Sequence, residues 1–170
     1  MKPLFFVLGI AISTMNFSIA PDPTLFPFNI KLKDKNQKEF LSKDILKKAG
    51  QPTVILFWLT TCGPCARELK ALNLNLERWK KQMPFNLVAI SEDYDTNFPA
   101  FVSRQTNEKW IFPTYWDYNR DFKSVMPGAI NGMPQTFIYD KKGKLVYQKK
   151  GFIDGDENNF FEKLKSATRS

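Results

Sequence analysis

Six residues, Thr53-Val54-Ile55-Leu56-Phe57-Trp58, form a continuous run rich in β-branched and aromatic side chains. A run of that length, apolar on both faces, suits a central strand covered on both sides. The polar turn Leu59-Thr60-Thr61 follows, and then Cys62 and Cys65, the two cysteines of this 170-residue chain. Beyond them the periodicity changes. Cys65, Leu69, Leu72 and Leu76 fall on one helical stripe, as recurrence at four, seven and eleven residues requires. A buried strand that feeds a helix through Cys-Gly-Pro-Cys points to an α/β layer structure. It puts Cys62 at the helix mouth and Cys65 on the core side.

That placement has chemical consequences. The first amides of a helix lack internal partners, and the macrodipole adds partial positive charge there. A Cys62 thiolate is therefore stabilised, and its pKa is expected below the roughly 8.5 of a free thiol. Pro64 fits a first helical turn because its missing N–H would have no partner. Gly63 leaves one side of the sulfur open to a bulky substrate. An exposed nucleophile beside a shielded resolving thiol is the arrangement for thiol–disulfide exchange. A purely structural bridge is disfavoured, since so short a loop stabilises a fold by only about 2 kcal/mol against nearly 5 for a hundred-residue loop. The chain has no histidine, which removes His-based acid–base catalysis, Cys–His proteolysis and most zinc sites.

The segment Phe57-Trp58-Leu59-Thr60-Thr61-Cys62-Gly63-Pro64-Cys65 resembles the active-site segment of the thioredoxin superfamily. Gly132-Met133-Pro134-Gln135-Thr136 resembles that family's Gly-x-Pro-x-Thr element, and the hairpin from Phe137 to Asp154 is similar to that of exported TlpA/ResA-type proteins. The likeness covers about Phe26 to Lys165. It implies an α/β, thioredoxin-like fold with a mixed central sheet flanked by helices, an N-terminal hairpin and a central insertion. It implies a redox-active Cys62–Cys65 disulfide with no cofactor and no metal. Pro134 is expected to be cis, with Met133 exposing backbone groups that hold a substrate strand beside Cys62. Trp58 is expected to pack beside the dithiol, shield it and belong to the substrate contacts. The family's buried aspartate falls on Leu56, so Glu68, one turn beyond Cys65, is the candidate for proton management; the competing reading is an ordinary surface carboxylate. The resemblance implies a reductase of exported protein disulfides, an apocytochrome c among the candidates, recharged by a membrane thiol donor of the CcdA/DsbD type. An oxidase or isomerase on the same fold is the alternative. A Cu(I)-handling module is a third, unsupported by any histidine or Met-rich cluster.

Lys2 and the apolar run Leu4 to Ile12, followed by Ser18-Ile19-Ala20, read as an export signal. Pro21 after the small-x-small site opposes cleavage, so residues 1–20 are expected to be a signal peptide or a retained anchor. Residues 21–27 read as a proline-rich linker and 28–168 as the domain. This puts the domain outside the cytoplasm, in a bacterial periplasm, soluble or anchored to the inner membrane. The net charge of +8 comes from dispersed lysines with acids between them. It suits a solvated surface, the alternative being an anionic membrane surface or an acidic partner; membrane attachment would run through residues 1–20, and no nucleic-acid partner is expected.

In order along the chain, Phe28–Leu32 and Lys38–Leu41 are expected to pair as strands, and Ser42 to cap a helix over Lys43–Ala49. The cysteine helix should run to about Lys81, with a parallel strand at Asn86–Ser91. A helix over Asp95–Asn107 is expected next, and then an irregular aromatic stretch, Trp110–Asp117. Trp110, Tyr115 and Trp116 are read as a core or edge cluster, or as a partner groove. A helical turn at Arg120–Met126, a hairpin of Gln135–Tyr139 with Lys144–Lys149, and a closing helix at Glu157–Ser166 complete the reading.

Overall fold

The computed structural model describes residues 25–46 and 50–168; the expected export signal and Lys47–Ala49 lie outside them. Its elements run β1 (Lys31–Lys33), β2 (Glu39–Leu41), β3 (Thr53–Trp58), α1 (Gly63–Gln82), β4 (Asn86–Ser91), α2 (Phe98–Glu108), β5 (Thr114–Trp116), α3 (Phe122–Val125), β6 (Gln135–Tyr139), β7 (Leu145–Lys150) and α4 (Asp156–Ala167). One seven-stranded sheet has the order β2-β1-β5-β4-β3-β6-β7. β3, β4 and β5 are parallel, and the other pairings are antiparallel.

The strand alternation divides the core in two. Val54, Leu56 and Trp58 turn to one face, where α1 contributes Leu69, Leu72, Leu76 and Trp79 and α4 contributes Phe160, Phe161 and Leu164. Ile55 and Phe57 turn to the other, against Phe26, Phe122, Met126 and Phe137. All six β3 residues are buried, as a doubly covered strand demands. The two crossovers β3-α1-β4 and β4-α2-β5 step the same way across the sheet. Right-handed crossovers then place α1 and α2 on one face, and Phe101 of α2 lies in the first cluster.

Several local expectations need revision. Leu25 and Phe26 belong to the fold rather than to a linker: Leu25 bridges to Lys144 and Phe26 is 1% exposed. Ser42 opens a five-residue 3-10 turn, Ser42–Leu46. Its hydroxyl accepts from the Ile30 N–H at 3.0 Å and donates to the Pro27 carbonyl at 2.5 Å, so it fastens the N-terminal segment. The first strand is correspondingly short, starting at Lys31. The stretch expected to be irregular contains β5, paired to β4 through Ala89↔Thr114, Ile90↔Tyr115 and Ser91↔Trp116.

Candidate active site

Cys62 is the N-cap of α1, with extended backbone angles, and its sulfur accepts the Cys65 N–H at 3.2 Å. The amide that lacks a helical partner is thus aimed at the sulfur. Pro64 stands in the first turn, and nothing lies within 4 Å of a side-chain carbon built on Gly63. Cys62 and Cys65 form a disulfide with an S–S distance of 2.01 Å. Cys62 is half-exposed and Cys65 fully buried, so attack from outside reaches Cys62 alone.

The loop before the cysteines is held by a side chain that the sequence did not single out. Asp93, just past β4, accepts from the Thr60 N–H at 2.9 Å, the Thr60 hydroxyl at 2.9 Å and the Ser91 hydroxyl at 2.6 Å. The Trp116 indole donates to the Asp93 carbonyl at 2.8 Å. Cys62 therefore starts from a loop fixed to the ends of β4 and β5.

Pro134 follows a cis bond from Met133. Gln135 pairs with Phe57, which sets Pro134 at the same end of β3 as the cysteines. The Pro134 carbonyl accepts from Gly151 N–H at 2.8 Å, and Lys150 Nζ binds the Asn131 carbonyl at 2.9 Å. Both ties fix the loop to the end of β7. Met133 is half-buried and Pro134 buried.

Glu68 is not a surface carboxylate. It is 7% exposed, and Oε1 accepts from the Thr136 hydroxyl at 2.7 Å while Oε2 has no partner. Burial pushes its pKa up to about 7, opposed by the Thr136 hydrogen bond and the Lys149 charge. Thr136 is the cross-strand partner of Leu56. The carboxyl carried by α1 thus reaches the strand neighbour of the position where the family's aspartate would stand.

Trp58, expected among the substrate contacts, offers no exposed surface for one, being 1% exposed. Its ring meets Trp110 edge-on at 5.2 Å and Phe101 at 6.1 Å, a packing role. Trp110 and Tyr115 share one open cavity of about 320 Å³ with Phe40 and Phe112, whereas Trp116 lies outside it, 6% exposed within the core. Sequence reasoning also missed a buried acid pair. Glu92 and Asp117 are each fully buried, and Asp117 accepts the Phe122 N–H at 2.8 Å. Burial, with the Asp117 charge next, pushes Glu92 up to about 8. One signal was legible: Glu92 directly follows β4, whose four central residues are apolar and whose last residue is buried.

The AhpC/TSA family profile matches residues 24–148. The thiol-disulfide oxidoreductase ResA of Bacillus thuringiensis subsp. konkukian is 25% identical over 152 residues, covering 82% of this chain and 75% of that protein. ResA of Bacillus cereus is 25% identical over 130 residues, covering 69% of this chain. The chain spans 64% of that relative's length, just under two thirds. Among solved structures, a thioredoxin-like protein from Porphyromonas gingivalis superposes with a TM-score of 0.69 at 30% identity, covering 82% of this chain and 90% of its own. A thiol:disulfide interchange protein from Chlorobium tepidum gives 0.67 at 22% identity, covering 88% and 99%. The thioredoxin-like fold is therefore shown.

Proposed function

Because the chain belongs to the AhpC/TSA family and has a thioredoxin-like fold, we propose that it is a thiol–disulfide oxidoreductase that reduces protein disulfides outside the cytoplasm. The observation that carries this reading is the pairing of an accessible Cys62 with a buried Cys65 in one disulfide at a helix mouth. The cis-Pro134 loop at the same end of the sheet supports it.

In the reduced protein, the Cys62 thiolate attacks one sulfur of a substrate disulfide. That S–S bond breaks, the first substrate thiolate leaves, and a mixed disulfide forms. Cys65 then gives its proton to Glu68 and attacks Cys62 Sγ. The second substrate thiolate leaves, carrying the electron pair, and the Cys62–Cys65 disulfide closes. Glu68 suits this step because a group with a pKa near 7 exchanges protons most effectively near neutral pH. Met133 flanks the attack site and presents its backbone to an extended substrate segment. Trp58 is left out of that contact surface.

ResA-named relatives support the oxidoreductase class, and the export-like residues 1–20 support an extracytoplasmic setting, soluble or held at the inner membrane. Exported thiol proteins are then the substrate class, and a membrane thiol carrier of the CcdA/DsbD type is the electron donor. Direction follows from the dipeptide and the absence of histidine. Thioredoxin lies at about −270 mV and the oxidant DsbA near −120 mV, and the helix mouth is the main source of thiolate stabilisation here. Equilibration against glutathione buffers is expected to give a potential closer to the first value. A potential near that of DsbA would overturn the reductase reading in favour of the oxidase. The Cys65→Ala variant should trap clients as mixed disulfides on Cys62; trapping by Cys62→Ala instead would reverse the two roles.

A further inference from the structure

Glu68 shares a small cleft with an ion pair that the exchange steps do not use. Thr136 on β6 lies opposite Leu56 on β3 and opposite Lys149 on β7. Cross-strand partners point to one face of a sheet, so Lys149 rises beside Thr136 on the side covered by α1 and α4. The alternating burial of β7 agrees, with Tyr147 and Lys149 half-buried and Val146, Gln148 and Lys150 exposed. Glu68, Thr136, Tyr147, Lys149, Asp156 and Phe160 enclose a void of about 10 Å³. Lys149 Nζ is ion-paired to Asp156 Oδ2, and the two side chains are 31% and 24% exposed. The pair therefore stands between the buried carboxyl and solvent. Asp156 is itself fixed at the start of α4, where Oδ2 accepts the Ile153 N–H at 2.8 Å.

We propose that Lys149 and Asp156 are opposed positioning residues for Glu68. The Lys149 ammonium favours the Glu68 carboxylate, and Asp156 holds that ammonium away and favours the acid. This rests on the reading of Glu68 as proton acceptor for Cys65. Other groups facing Glu68 do not supply the control. Thr136 is neutral, the Tyr147 hydroxyl is raised by burial and so uncharged near pH 7, and Glu157 is engaged with the Gly155 N–H at 2.9 Å. Leu56, Leu72 and Phe160 carry no charge. Asp156 stays ionised because its hydrogen bond with Lys149 lowers its pKa. A lysine turned inward on an edge strand, where an apolar residue would bury more surface, is accounted for by such a role.

The test is a carboxyl-carbon NMR titration of Glu68 in the full-length oxidised protein, where no thiol titrates. Lys149→Met removes the attraction and leaves Asp156 unpaired, so the Glu68 titration should move up by about one pH unit. Asp156→Asn frees the ammonium, so the titration should move down by about half a unit. The double variant should fall between the two. Lys149→Gln takes the place of Lys149→Met if the latter folds poorly. Shifts in the same direction for both single variants, or no shift in either, would overturn the proposal, since loss of packing alone gives no opposed signs. The pH profile of mixed-disulfide resolution should follow the same two directions, and lose both in a Glu68→Gln background. Opposed titration shifts with unchanged rate profiles would leave the pair standing and remove Glu68 from the exchange.

Discussion

Glu68 occupies a place where a carboxyl is costly as an anion: it is nearly enclosed, one oxygen is bonded to Thr136 and the other has no partner. An acid so placed keeps its proton to about pH 7, and acts as a base only above that value. Resolution of a mixed disulfide is therefore expected to accelerate through neutral pH. Glu68→Gln should flatten the profile and slow the step by about a hundredfold or more, as read by rapid quenching with acid; an unchanged profile would take Glu68 out of the mechanism. The spacing of Glu68 from Cys65 was visible in the sequence, but its burial was not. Thr136 and Lys149 are 68 and 81 residues further along the chain, and strand pairing alone unites them with it. Trp58 shows the converse: its place four residues before Cys62 suggested a share in substrate contact, and the tertiary packing of Trp110 and Phe101 closed it off.

Helix α1 was the most legible element, because its apolar stripe is long and its start is marked by Pro64. Its far end is fastened by Trp79, which stacks on Phe161 of α4 at 4.8 Å with planes 7° apart. Trp79→Ala should cost about 3–5 kcal/mol of stability, measured by urea unfolding, and loosen α4 with little effect on the thiols. The β6–β7 hairpin was legible for a similar reason. Asp140 accepts from the Lys142 and Lys144 amides at 2.8 and 2.9 Å, and Gly143 takes the left-handed angle the turn needs. Strand β5 was not legible. Three residues after Pro113 are too few for an alternation to show, and their pairing is dictated by β4. The N-terminal strand was read too long because, ahead of Lys31, the Ile30 N–H and the Pro27 carbonyl are bonded by the Ser42 hydroxyl in place of a strand partner, an effect no local pattern encodes.

Among the described residues, Glu68, Glu92 and Asp117 are buried acids that hold protons more firmly than the unfolded chain does. Glu68 and Glu92 have folded pKa values of about 7 and about 8 against an ordinary value near 4.5. A raised acid stabilises the fold below its unfolded pKa, and that contribution is lost as pH rises through the folded one. Stability should thus decline between about pH 5 and pH 9, as Glu68 and Glu92 give up their protons in the folded state. Thermal melts across that range check it, and Glu92→Gln should reduce the slope; a melting temperature that rises with pH would contradict the assignment. Cys62, Cys65 and Glu68 follow one another at intervals of three over the cap and first two turns of α1, whereas Thr136, Lys149 and Asp156 come from a strand, its neighbour and the last helix. A transplant of the Thr53–Lys70 cassette into another sheet would carry the reacting atoms but not their pH setting. Variation at the distant positions can therefore retune the same dithiol for a compartment of different acidity while its sequence signature stays intact.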